Sequence, residues 1–198
     1  MTHLPGRLVI LGHPVAHALS PVFQNAALRS AGIPIAYEAV DVRPEELATM
    51  AGLLRDAGAA GNVTVPHKQT FAALCSRLTP VAERAGAVNT FWTEDDGTLV
   101  GDNTDVGGFD AAIRAAFGAP RPAIVVAVFG AGGGAAAVLA AAERWNDATV
   151  RITARSVARA QALAQRFGRF VSVVPDVETA VGGANLVVNA TPIGLQGT

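Results

Sequence analysis

Residues 123–142 run twenty positions without a charge. By length alone such a run can span a bilayer. Its two halves differ in kind. Residues 123–129 read AIVVAVF and residues 135–142 read AAAVLAAA, with Gly130, Ala131, Gly132, Gly133 and Gly134 between them. β-Branched residues favour strands and alanine favours helices. The run therefore reads as strand, tight turn and helix in a water-soluble protein, with no membrane partner. Gly130 to Ala135 fits G-x-G-x-x-A, and the strand before it and helix after it supply the context that gives this pattern meaning. Glycines let the backbone approach a pyrophosphate, and a helix N-terminus offers N–H groups and positive dipole charge. The alternative is an ordinary tight turn.

The next strand, residues 150–154, ends in Thr153-Ala154-Arg155-Ser156, with Arg159 one turn on. NAD-type sites place a carboxylate there for the ribose 2′-hydroxyl. Guanidinium groups instead pair with a 2′-phosphate. NADP(H) is the expected cofactor; the alternative is that Arg155 and Arg159 form a solvated helix face.

The rest of the chain alternates in the same way. Strands are expected at residues 7–11, 36–40, 61–65, 171–174 and 186–189. Helices are expected from Ser20-Pro21, where serine suits an N-cap and proline the first turn, and over 44–55, 67–74, 105–117 and 157–167. Residues 87–92 and 98–101 flank Asp95-Asp96-Gly97, a hairpin signal. Residues 118–122, GAPRP, are linker-like. This is an α/β chain with mostly parallel sheets. Fifteen basic against sixteen acidic residues, with no basic block, give no support to a nucleic-acid partner. The lone Cys75 excludes an internal disulfide and points to a reducing compartment, the cytoplasm. No metal-ligand cluster is visible.

The only lysine is Lys68, in GNVTVPHK; every other strong base is arginine. Strand alternation puts Asn62 and Thr64 on one face. Lys68 follows Pro66 into a helical first turn, where a cation is disfavoured by roughly 0.3–1 kcal/mol. Asp102 or Asp105, in GDNTD, are candidates to offset this. Arginine does not deprotonate in proteins, so a base that must transfer a proton has to be lysine. An ordinary surface lysine is the plainer reading.

GHPVAHALSP, GNVTVPHK, GAVNT, GDNTD, GAGGG and NATPIG, in this order, resemble shikimate dehydrogenase and its quinate/shikimate dehydrogenase relatives. The resemblance implies an N-terminal α/β substrate-binding domain at residues 1–105 and a Rossmann NAD(P)-binding domain at 106–198, with the active site in a cleft between them. It implies NADP-dependent, reversible reduction of 3-dehydroshikimate to shikimate, on the route to aromatic amino acids. Lys68 and Asp105 match the family's catalytic pair. Asn62, Thr64 and Asn89 match polar residues that hold the ring hydroxyls or the catalytic groups, and Ser20 matches a carboxylate-binding serine. Gly130, Gly132, Gly133, Gly134, Arg155, Arg159 and Thr191 match the cofactor region. Rivals are a quinate or quinate/shikimate dehydrogenase and a non-catalytic nucleotide-binding paralogue. His17 is expected to pack or fix its loop, and Asp102 to cap a turn.

Two departures stand out. The family's first loop has the pattern H-S-x-S-P, whereas His17-Ala18-Leu19-Ser20-Pro21 lacks one hydroxyl. A hydrogen bond to a charged group contributes roughly 1.5–3 kcal/mol, so carboxylate binding is expected to weaken by about one to two decades. Relatives also continue beyond the NATPIG motif. The Rossmann domain is accordingly expected to be incomplete at its C-terminus, with a final strand left as a sheet edge that invites homodimer formation.

Overall fold

The computed structural model describes residues 4–194. The chain divides into two compact units, Met1–Asn103 and Thr104–Thr198. Asp105, expected to close the first domain, lies in the second unit.

The first unit contains β1 (Leu8–Gly12), β2 (Tyr37–Asp41), β3 (Ala60–Val63), β4 (Arg77–Leu78), β5 (Thr90–Thr93) and β6 (Leu99–Asp102). They form one sheet in the order β2-β1-β3-β5-β6-β4. Its helices are α1 (Ser20–Ser30), α2 (Leu47–Asp56), α3 (Lys68–Ala72) and α4 (Pro80–Ala85), with a 3-10 turn at Pro44–Glu46. β1 pairs in parallel with both β2 and β3, while β5 runs antiparallel to β3 and β6. The sheet is thus mixed.

β1 is apolar throughout because both of its faces are covered. Val9 and Leu11 join one buried cluster with Leu47 and Leu54 of α2, Val63, Phe71 and Phe91. Ile10 points the other way, into a cluster with Val15, Tyr37 and Leu28 of α1. The helices after β1 and β2 therefore pack on opposite faces. The winding reverses at the β1–β3 pair, the place where open α/β sheets leave a crevice at the carboxyl ends of their strands.

The second unit contains α5 (Thr104–Phe117), β7 (Val125–Phe129), α6 (Gly133–Ala142), β8 (Thr149–Thr153), α7 (Val157–Phe167), β9 (Val171–Val173), α8 (Val177–Val181) and β10 (Leu186–Asn189). Its sheet has the order β10-β7-β8-β9, and every pairing is parallel. The uncharged run splits into β7 and α6. All residues from Ala135 to Ala142 are buried, so α6 is a core helix, apolar all round for that reason. Among the described residues, no helix is long and apolar enough to cross a membrane. The linker-like residues 118–122 connect α5 to β7 inside this unit.

Three short elements lie outside the sequence expectations: β4, α4 and α8. α4 carried clear end signals. Thr79 accepts from Ala82 N, Pro80 opens the helix, and Gly86 closes it at φ 65°. With six residues, it has no periodicity to detect.

Phe71 and Phe91 are fully buried, with ring centroids 5.0 Å apart. Phe71→Ala is expected to cost about 3–5 kcal/mol of stability through lost transfer energy and a residual cavity, read as a lower urea midpoint with an unchanged slope.

Candidate active site

In the first unit, the polar residues collect where β1 and β3 end. An alanine at Gly12 would put its Cβ 2.5 Å from Thr64 Cγ2, and at Gly61 only 2.0 Å from Val9 O. These glycines let β3 and the Thr64 side chain lie close against β1. Thr64 N donates to Leu11 O at 2.8 Å, and His67 N to Thr64 O at 2.9 Å. The chain then turns into α3 at Lys68. His67 is 1% exposed, and its Nε2–H donates to Val42 O at 2.6 Å. A carbonyl can only accept, so this contact fixes the tautomer.

Lys68 is half-buried, and its carbonyl accepts from Val88 N at 2.8 Å. That bond ties it to the GAVNT segment. Asn89 is buried; its N–H donates to Asp102 O at 3.0 Å, and its carbonyl accepts from Val63 N at 2.8 Å. Asn62 extends from β3 toward the same segment, with Nδ2 3.2 Å from both Asn89 O and Thr90 Oγ1. Asp102, weighed as a lysine partner or a turn cap, accepts from the Thr79 hydroxyl at 2.5 Å. Asn103 is 2% exposed and donates from Nδ2 to Ala87 O at 2.8 Å.

The loop between β1 and α1 is held by His13 and not by His17. Asp41 accepts from His13 Nδ1 at 2.6 Å and from Val15 N at 3.1 Å. His17 is exposed, so the packing role expected of it is absent. The helix cap expected of Ser20 is also corrected. Leu19 occupies the N-cap, there is no side-chain cap bond, and half-buried Ser20 begins the helix. The Ser20 hydroxyl is therefore not committed to capping. Ala18 packs partly buried against Ile10, Val15 and Tyr37.

In the second unit, three loops leave the sheet at one edge. Gly130 follows β7, with φ +105°, and a Cβ there would sit 2.8 Å from Ala190 O. Only glycine fits that backbone and that approach. Gly130 N donates to Thr153 O at 2.9 Å, and Ala190 N to Phe129 O at 2.8 Å. The glycine turn thus lies between the end of β8, two residues before Arg155, and the end of β10. Gly132 is the N-cap of α6, and a Cβ on it would meet nothing within 4 Å. The space at this helix N-terminus is open for a ligand's approach. Gly133 and Gly134 form the first turn of α6.

Ser156 caps α7 by accepting from Arg159 N at 3.4 Å. Arg155 and Arg159 are exposed at that helix start. Thr191 has a local role: its hydroxyl donates to Asn189 Oδ1 at 2.6 Å and accepts from Ile193 N at 3.2 Å. It shapes the turn that borders Gly130. Asp105 stands half-buried in the first turn of α5.

Two residues of this neighbourhood escaped sequence reasoning. Thr90 stood inside the GAVNT motif beside Asn89 and was readable there. Tyr37 is remote in sequence and carried no signal beyond its place in an expected strand.

The family described as "Shikimate dehydrogenase substrate binding domain" matches residues 10–91. A shikimate dehydrogenase (NADP(+)) of Rubrobacter xylanophilus is 44% identical over 193 residues, covering 94% of this chain and 68% of the relative. The crystal structure of shikimate dehydrogenase from Aquifex aeolicus superposes with a TM-score of 0.86 at 35% identity, covering 96% of this chain and 71% of that one. Shikimate 5-dehydrogenase from Thermus thermophilus, solved with NADP(H) and shikimate, gives 0.79 at 41% identity, covering 96% and 69%. The chain thus spans roughly 70% of the length of these relatives.

The His13 bond, then the Val15 bond, hold the Asp41 carboxyl below the usual aspartate range. A depressed carboxyl contributes stability above its unfolded pKa, about 3.9, and loses it as pH falls through the folded value. The stability difference between wild type and Asp41→Asn is expected to narrow as pH is lowered below about 4, measured by urea melts across the acid range.

Proposed function

This chain belongs to the shikimate dehydrogenase family, and we propose that its first unit binds the substrate, its second binds the cofactor, and Lys68 with Asp105 forms the catalytic pair. The activity is NADP-dependent, reversible reduction of 3-dehydroshikimate to shikimate. NADPH, when bound, supplies the hydride that reaches the ring carbonyl carbon. The Lys68 ammonium supplies the proton to the carbonyl oxygen, and takes it back in the reverse direction. A carboxylate partner keeps that ammonium charged and oriented, and a general acid must come within about 2.6–3.2 Å of the oxygen it protonates. Ser20 holds the substrate carboxylate. Asn62, Thr64 and Asn89 hold the ring hydroxyls or the groups that do.

The observation that carries the cofactor assignment is the bond from Gly130 N to Thr153 O at 2.9 Å. It sets the glycine turn beside the strand end that leads to Arg155. A pyrophosphate fits over the open side of Gly132, against the amides of the α6 N-terminus. Arg155 and Arg159, both exposed, then suit the 2′-phosphate. Thr191 supports this site through the turn it closes. Cytoplasmic location and a homodimer belong to the same proposal. The lone cysteine supports the first.

Lys68→Ala is expected to lower turnover by about two to four decades, the usual reach of a positioned acid or base. NADP affinity should stay within about twofold, read by fluorescence titration and steady-state kinetics; a matching collapse of fold stability would mean that the lysine is structural. Arg155→Ala is expected to erase most of the preference for NADP over NAD, about tenfold or more. An unchanged ratio of the two kcat/KM values would overturn the phosphate assignment.

A further inference from the structure

The Tyr37 ring belongs to the buried Ile10–Val15 cluster and is 5% exposed. Its backbone is clamped from α1: Tyr37 N donates to Asn25 Oδ1 at 2.8 Å, and Asn25 Nδ2 donates to Tyr37 O at 2.9 Å. From β2 its hydroxyl crosses β1 and lies 2.6 Å from Asn62 Oδ1 on β3. Asn62 Nδ2 reaches Thr90 Oγ1 at 3.2 Å, and Thr90 Oγ1 donates to Asn89 Oδ1 at 3.0 Å.

The polarity of this series is set at one point. Asn62 also lies 3.2 Å from Asn89 O. A backbone carbonyl only accepts, so the atom facing it is the Asn62 nitrogen. The Asn62 oxygen therefore faces Tyr37, and the phenol must donate to it. Thr90 accepts from Asn62 and passes its own proton on to Asn89. Burial pushes the Tyr37 phenol up to about 12, so it keeps its proton at any working pH.

We propose that Tyr37, Asn62 and Thr90 are positioning residues for Asn89: a one-way hydrogen-bond chain holds the Asn89 carboxamide by its oxygen, so that a ring hydroxyl of the substrate meets its NH₂ group. Asn62 commits both of its N–H donors and one lone pair of its oxygen to this chain, which makes it a support for Asn89. The inference rests on the reading of Asn89 as a substrate-binding residue.

The test compares Tyr37→Phe, Thr90→Val and Thr90→Ser with Asn89→Ala in steady-state kinetics of the enzyme. Tyr37→Phe and Thr90→Val are each expected to raise KM for shikimate about three- to tenfold, the worth of one hydrogen bond. KM for NADP should remain within about twofold. Thr90→Ser keeps the hydroxyl and should restore the wild-type KM. If Asn89→Ala raises KM but neither Tyr37→Phe nor Thr90→Val does, the positioning role is refuted and the substrate reading of Asn89 stands. If Asn89→Ala leaves shikimate KM unchanged, that reading falls and the positioning role with it. A lowered melting temperature without a KM change counts as a purely structural contribution and also overturns the proposal.

Discussion

A parallel strand pair sends both of its following loops out at the same edge, and each unit of this chain is organised by that constraint. In the first unit, β1 and β3 deliver Ser20 and Thr64 in this way, because the winding reverses between them. In the second, β7 lies between β8 and β10, so the glycine turn, the approach to Arg155 and the Ala190–Thr191 turn share one edge. Antiparallel pairing would have sent alternate loops to opposite ends. Neither group of residues would then have formed. The pairing needs glycine where backbones crowd, at Gly61 beside Val9 O and at Gly130 beside Ala190 O.

Burial decides which polar groups are held and how tightly. Asn89, Asn103 and His67 are the buried polar side chains among the described residues. The His67 and Asn103 side chains each donate to a backbone carbonyl, whereas Asn89 Oδ1 accepts from the Thr90 hydroxyl, and backbone carbonyls have a fixed role as acceptors. The carbonyls of Val42 and Asn89 therefore define the orientation of His67 and Asn62, respectively. Orientation defined by a backbone atom persists through side-chain motion, which suits residues next to a reacting group. Cys75 shows the opposite use of burial. Its thiol is pushed up to about 11 by desolvation and donates to Phe71 O, so it serves packing and is a poor nucleophile.

How much of this was legible depended on the range of the interactions. The strand–glycine–helix unit was readable because turn chemistry and propensity are local, and β10 was placed residue for residue at Leu186–Asn189. Lys68 and its motif were readable by residue type. The two-residue β4 and the five-residue α8 were not, since neither is long enough to run through its own period twice. Ser20 was misread as a cap because Ser-Pro satisfies the capping preference equally well one residue inside the helix. His17 and His13 are indistinguishable by type. Only the distance of 2.6 Å to Asp41 separates them. The Tyr37–Asn62 bond joins residues on strands separated by β1, and that ordering is a property of the whole sheet.

Ala18 brings these scales together. Its methyl packs on the Ile10–Val15–Tyr37 cluster, the same cluster that seats the phenol at the head of the hydrogen-bond chain. One buried CH₂-sized group contributes about 0.8 kcal/mol to folding. The hydroxyl missing relative to the family's pattern is worth roughly 1.5–3 kcal/mol when it meets a charged group. The two quantities do not cancel, because the first belongs to the folded chain with or without substrate and the second only to the complex. Relative to that pattern, alanine keeps the β-carbon packed on this cluster and, on the proposed assignment of the site, removes a donor from the carboxylate's side. On the same assignment, recognition of the acid leans on Ser20, and the ring-hydroxyl side leans on Asn89, whose oxygen accepts from Thr90.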